Sequence, residues 1–238
     1  MTDDCAIALS GVTLALGNAT FAFDCRLPAG AITAVTGPSG SGKTTFLNLV
    51  AGFERPDAGT VSIGGQDVTA LHPAERPVSL VFQDNNLFAH LDIASNIGLG
   101  IDPSLRLSAQ DRAAVSTALE RVGLGGFEKR RPGTLSGGER QRAAFARALV
   151  RRRPVLLLDE PFAALDPDLR AAMSALLVEL HRETGNTVLI VTHDPQEVRR
   201  SADHVLFLKQ GRIAVNLPAE RFLSGTGVAE ADTFMRQI

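Results

Sequence analysis

The stretch GPSGSGKTT at 37–45 constrains the fold more than any other part of the chain. It fits the pattern G-x-x-x-x-G-K-[ST] at Gly37, Gly42, Lys43 and Thr44. The apolar run AITAVT precedes it and reads as a strand, while TTFLNLVA at 44–51 reads as a helix stopped by Gly52. Glycines let the backbone wrap closely enough for its N–H groups to face phosphate oxygens. The start of the following helix adds a partial positive charge. Gly37, Pro38, Ser39, Gly40, Ser41, Gly42, Lys43, Thr44 and Thr45 are therefore the expected cradle for a nucleotide's phosphates. Lys43 would reach the β- and γ-phosphates, and Thr44 would hold Mg²⁺. A strand feeding a loop and then a helix needs a sheet covered by helices, so the chain should contain an α/β core.

The remaining elements agree with that expectation. Residues 5–28 read as short strands with a turn at Gly17 and Asn18, GTVSIGG at 59–65 as another strand, and 78–82 as a further one. Strand patterns then disappear from 85 to 150. Ser108 to Asp111 forms a capping box ahead of Val115, Ala118, Leu119 and Val122, and 140–152 reads as an alanine-rich helix. Apolar strands return at 155–158 and 188–191, flanking a helix capped by Asp166 and Pro167 and closed by Gly185. A hairpin around Gln210 and Gly211 follows. The predicted architecture is a core from 1–84 and 151–215 with a mainly parallel sheet, an N-terminal antiparallel β part, a helical lobe at 85–150 and a short tail at 216–238.

Three further groups carry chemistry. VLLLDEP ends a strand in two acids, where ligands sit in open α/β sheets. Asp159 would bind Mg²⁺ through water, and Glu160 would polarise an attacking water. His193 ends the strand VLIVTH, and Gln83 follows VSLVF, each in reach of a nucleotide or its metal if these strands are neighbours. TLSGGERQR at 134–142 is a second candidate anion site, formed by Ser136, Gly137, Gly138 and the start of a helix. Composition narrows the partners. The net charge of −2 gives no global field for nucleic acid, and Cys5 and Cys25 lack metal or redox spacing. The chain contains no apolar run of about 18 residues and its acidic first residues lack a signal core.

Together these motifs resemble the ATPase subunits of ABC transporters over about residues 9–223. The match takes in the nucleotide loop, the glutamine loop at Gln83, LSGGE at 135–139, the acid pair, ALD at 164–166 and the histidine His193. The resemblance implies a P-loop NTPase fold of RecA-like type, ATP and Mg²⁺ as ligands, and a head-to-tail homodimer. In such a dimer Ser136, Gly137 and Gly138 face the partner's γ-phosphate, and Asp166 supports the partner's site. Glu160, His193 and Gln83 would be catalytic, and Thr44, Gln83 and Asp159 would hold the metal. Two positions depart from the family pattern. Glu139 stands where Gln is usual, and the position that usually stacks on adenine falls near Leu16, in a chain with no Tyr or Trp.

The run 76–100 follows bacterial importer ATPases. Asn85, Asn86, Leu87 and Phe88 look like the branch that serves thiamine importers. That implies an integral membrane permease partner docking near Leu87, Phe88 and Leu91, a periplasmic or extracellular solute-binding protein acting indirectly, and a peripheral place on the cytoplasmic face of the inner membrane. An importer for another small solute, a soluble relative acting on nucleic acid, and a scaffold with weak catalysis are the alternatives. The acidic charge and the lack of a coiled-coil insertion argue against nucleic acid. The intact Lys43, Asp159, Glu160 and His193 argue against a scaffold.

Overall fold

Five strands lie parallel because each crossover between them is long enough to return over the sheet. The computed structural model describes residues 5–82 and 86–236. β3 (Ile32–Thr36) is followed by α1 (Lys43–Ala51), β6 (Val78–Val81) leads through the helices between 93 and 150 into β7 (Val155–Asp159), β7 is followed by α5 (Pro167–Thr184), and β8 (Thr187–Val191) by α6 (Pro195–Ser201) and β9 (His204–Lys209). β9, β3, β8, β7 and β6 are consecutive neighbours in that order, all parallel. Every residue of β3, β7 and β8 is buried, as a sheet covered on both faces requires. Alternate side chains enter opposite cores. Leu156, Leu158, Val188 and Ile190 join the helices α4 (Gly137–Val150) and α5, while Leu157, Leu189 and Val191 join Phe46, Leu47 and Val50 of α1.

The other half of the sheet is mostly antiparallel. β1 (Cys5–Leu16) and β2 (Ala19–Pro28) form a hairpin, with β4 (Ala58–Ile63) and β5 (Gln66–Asp67) beyond β1, and β10 (Arg212–Pro218) joining β2 to β9. The ten strands make one sheet, and the α/β architecture with its antiparallel N-terminal part is as the sequence led us to expect. The hairpin strands are long, not short. A register shift between Leu9 and Val12 changes which residues point inward, so the apolar alternation breaks while the pairing continues.

α2 (Ile93–Gly98), α3 (Ala109–Arg121) and α4 pack on one another, and α4 also meets β6. The Ser108–Asp111 capping box is present, and Val115, Ala118, Leu119 and Val122 are all buried. α4 begins at Gly137, three residues before the expected start at 140, because the Ser136–Glu139 capping box starts it despite two glycines. The stretch after β10 is folded back. α7 (Ala219–Leu223) and α8 (Ala229–Met235) bury Phe222 and Phe234, whose rings lie 6.3 and 6.1 Å from Phe207 of β9.

Candidate functional site

β3, β8 and β7 are adjacent and parallel, so their C-terminal ends place the nucleotide loop, His193 and the acid pair side by side. The loop is built against the β9–β10 hairpin. The Gly211 N–H donates to the Ser41 carbonyl at 3.0 Å, and Phe21 is buried beneath Gly42. Gly37 has φ of +142°, and a Cβ there would lie 2.2 Å from the Leu208 carbonyl oxygen, so only glycine fits. Lys43 donates from Nζ to the carbonyls of Gly37 (2.9 Å) and Pro38 (3.1 Å). Burial draws its ammonium below the ordinary lysine range, while Glu160 and then Asp159 oppose that shift.

Asp159 is buried at the end of β7, and the Thr44 side chain hydrogen-bonds to it. Burial and then the neighbouring Glu160 carboxylate push Asp159 above the usual carboxylate range; the Thr44 bond and Lys43 pull the other way. A hydroxyl against a carboxylate is a hard oxygen donor set that fits Mg²⁺. Among the described residues no cluster of three or more His, Cys, Asp or Glu side chains could hold a metal. A metal at Thr44 and Asp159 would take its other ligands from nucleotide phosphates and water.

Glu160 turns the chain out of the strand with φ of +45°, uncommon for a residue other than glycine. Its N–H donates to the Val191 carbonyl at 3.1 Å, tying it to β8. The carboxylate Oε1 lies 3.3 Å from His193 Nδ1, and the imidazole is 64% exposed toward solvent. Gln83 lies outside the described residues.

Ser136 and its glycines sit elsewhere. Ser136 Oγ accepts the Glu139 N–H at 3.2 Å, and the Glu139 carboxylate accepts the Ser136 N–H at 2.6 Å. That backbone bond is the first reason the Glu139 carboxyl is held below its usual range, and Arg130 Nη1 lies 3.9 Å from it. The carboxylate therefore faces its own helix start. Gly138 is pressed on the loop after β7, where a Cβ would lie 2.8 Å from Leu165 Cδ2. Asp166 is the exposed N-cap of α5, its Oδ1 accepting the Leu169 N–H at 2.9 Å.

Other expected positions are less uniform. Leu16 is 37% exposed at the end of β1, whereas Phe21 and Phe23 are buried. Phe88 is 49% exposed, but Leu87 and Leu91 are half-buried, Leu87 against the core. Buried Asn96 holds that turn by donating to the Phe88, Leu91 and Asp92 carbonyls. A cavity of about 1350 Å³ opens beside Gly30, Pro154 and Thr187 at the other end of the parallel strands, away from the phosphate loop.

Two buried or half-buried residues join the loops and were not anticipated. Gln141 Oε1 accepts the Ala164 N–H at 3.1 Å, fastening α4 to the loop after β7. Arg170 donates from Nη1 to Asp194 Oδ2 at 3.2 Å, from Nε to the Phe162 carbonyl and from Nη2 to the Leu165 carbonyl, joining the loops after β7 and β8.

The ABC transporter family profile matches residues 22–163. A relative named thiamine import ATP-binding protein ThiQ from Rhizobium meliloti (strain 1021) is 57% identical over 230 residues, covering 97% of each chain. One of the same name from Brucella suis biovar 1 (strain 1330) is 56% identical over 227 residues, covering 95% of this chain and 94% of its own. Among solved structures, the ATP-binding cassette MJ0796, a dimer in a post-hydrolysis state bound to ADP and Pi, superimposes with a TM-score of 0.80 at 31% identity, covering 90% of this chain and 98% of its own. A second dimeric structure of that cassette gives a TM-score of 0.81 with the same identity and coverage.

Proposed function

This chain belongs to the ABC transporter family, and from that premise we propose that it is the ATP-hydrolysing subunit of a thiamine importer, working as a head-to-tail homodimer. In this reading 1–84 and 151–215 form the ATPase core, 85–150 the helical lobe and 216–238 a tail. The partner is an integral membrane permease, and a solute-binding protein acts on the far side. The subunit lies on the cytoplasmic face of the membrane without crossing it; no helix among the described residues is long and apolar enough to span.

The observation that carries the reading is the 3.3 Å pairing of His193 with Glu160, next to an Asp159 already bonded to Thr44. ATP phosphates would draw Lys43 off the Gly37 and Pro38 carbonyls. Loop amides and Lys43 then hold the β- and γ-phosphates. Glu160 accepts a proton from water as the water oxygen attacks the γ-phosphorus, and the bond to the ADP oxygen breaks. His193 orients Glu160 and borders the γ-phosphate. Mg²⁺ bound at Thr44 and Asp159 would neutralise the charge between the phosphates, and Gln83 would complete that shell.

The second subunit supplies the other wall. Ser136 Oγ accepts from its own helix but keeps a proton to donate, and the first-turn amides of Gly137 and Gly138 need no partner within the helix. These donors suit a γ-phosphate held by another chain. Glu139 takes the Ser136 amide and is also met by its hydroxyl, a bond that a γ-phosphate would have to replace. Adenine would rest on Leu16, an aliphatic surface, which gives weaker base selection than a stacked ring. Phe88 and its Asn96-braced turn would meet the permease.

The test is reconstitution with the co-purified permease in liposomes holding the binding protein. ATP turnover that rises with thiamine, and uptake of thiamine that needs ATP, are expected. Stimulation by another solute alone would overturn the substrate, and absence of any permease partner would overturn the transport role.

A further inference from the structure

Glu197 lies in α6, four residues after His193, and is buried to 5% exposure. The Thr192 hydroxyl hydrogen-bonds to its carboxylate and accepts the Asp194 N–H at 3.1 Å. Glu197 thus fixes the hydroxyl that shapes the turn carrying His193. Its Oε1 has no partner, although a buried carboxylate oxygen in that state is costly. It borders a cavity of about 10 Å³ shared with Glu160, Thr192, His193, Asp194 and Arg170. That volume is near the threshold for one water, so at most one molecule would bridge Glu197 to the hydrolytic pair.

We propose that Glu197 is a positioning residue of the hydrolytic site, acting through Thr192 and His193 on the Glu160 carboxylate. The proposal rests on the ATPase reading above. The groups facing Glu197 are known from each packed element: Asp194 on its own helix, Arg170 from α5, Glu160 from the loop after β7, and His193 at the end of β8. Burial pushes the carboxyl up to about 7; Asp194 adds to the rise, while the Thr192 bond, Arg170 and His193 restrain it. The group therefore gains or loses its proton near neutral pH. As an anion it fixes the Thr192 hydroxyl and attracts the neighbouring imidazole. As an acid it releases both. The grip of the imidazole on Glu160 follows that proton, so turnover should be higher above about pH 7 than below.

The experiment measures ATP turnover and nucleotide affinity from pH 6 to 9 for the wild-type protein and Glu197→Gln. Wild-type turnover should rise with pH around 7. In E197Q that limb should be lost and kcat at pH 8 should fall roughly tenfold to a hundredfold, with affinity unchanged. A purely structural glutamate would leave the shape of the profile intact, and an E197Q profile parallel to wild type overturns the proposal. Absent turnover in the wild-type protein would instead overturn the ATPase reading. A second measurement does not depend on the E197Q fold: carbon NMR of the Glu197 carboxyl in wild type and His193→Ala. Its pKa should rise when the imidazole is removed, and an unchanged value overturns the coupling.

Discussion

Glu160 and Glu197 border the same small cavity beside His193, and their chemistry differs because their burial differs. Glu160 is held at the surface of the site by a left-handed backbone and a bond to β8. Its replacement by Gln keeps the shape but removes the carboxylate that would serve as base in the proposed reaction. Glu160→Gln should bind ATP with wild-type affinity and lose roughly 10²–10⁴ in kcat, measured by equilibrium binding and single-turnover kinetics. Glu197 makes a prediction about stability. Its carboxyl is raised to about 7 by burial. Between the unfolded value, about 4.3, and that folded value, the native chain keeps a proton that the unfolded chain has lost. Stability therefore falls as pH rises through that window and is level above it. Glu197→Gln should be about 3 kcal/mol more stable than wild type at pH 8 and nearly equal at pH 4.5, by urea melts. That Lys43, Thr44, Asp159 and His193 would lie near one another was legible in the sequence because each sits at or shortly after the C-terminal end of a strand. Gln141 and Arg170 were not, since their partners Ala164 and Asp194 lie 23 and 24 residues away and only the fold brings them close. Glu197 was missed for a different reason. It follows His193 closely, but a glutamate in the first turn of a helix normally reads as solvated.

The capping box at Ser136 decides where α4 starts and so where its free amides point. Sequence pattern placed the alanine-rich helix from 140, yet the reciprocal side-chain cap starts it at Gly137 although glycine is a poor helix former. Ser136→Ala should cost about 1 kcal/mol in stability, and Glu139→Gln, which can still close the box, less than about 0.5, both read by chemical denaturation. The end of α1 is stabilised from a distance. Arg76, 1% exposed, donates from Nη1 to the Leu49 and Val50 carbonyls at 2.7 and 2.9 Å, and from Nε and Nη2 to Leu71 and Thr69. Removing it strands two helix carbonyls and opens a void. Arg76→Ala should lower stability by about 3 kcal/mol or more, measured the same way. No sequence signal marked this arginine, because a lone cation before a strand normally reads as solvated. The long β1–β2 hairpin was hidden for a related reason: its bulge interrupts the alternation by which a strand is recognised.

One ten-stranded sheet joins the parallel half, whose strand ends carry Lys43, Asp159, Glu160 and His193, to the antiparallel half that braces the loop from below. The Ser136 helix start is the piece this arrangement does not use within one chain. Its fastenings run to Ala164 and Leu165, and the first-turn amides of Gly137 and Gly138 are the donors left for another molecule. The account therefore depends on a pocket with one wall from each of two subunits. Mixing Lys43→Ala with Ser136→Arg protein measures this most directly. Neither variant alone should turn over ATP. In an equal mixture half the dimers pair one of each, and each of these carries one intact pocket, so about a quarter of wild-type turnover should return. A mixture as inactive as its parents, with wild-type protein hydrolysing ATP at full rate as a monomer, would contradict the account.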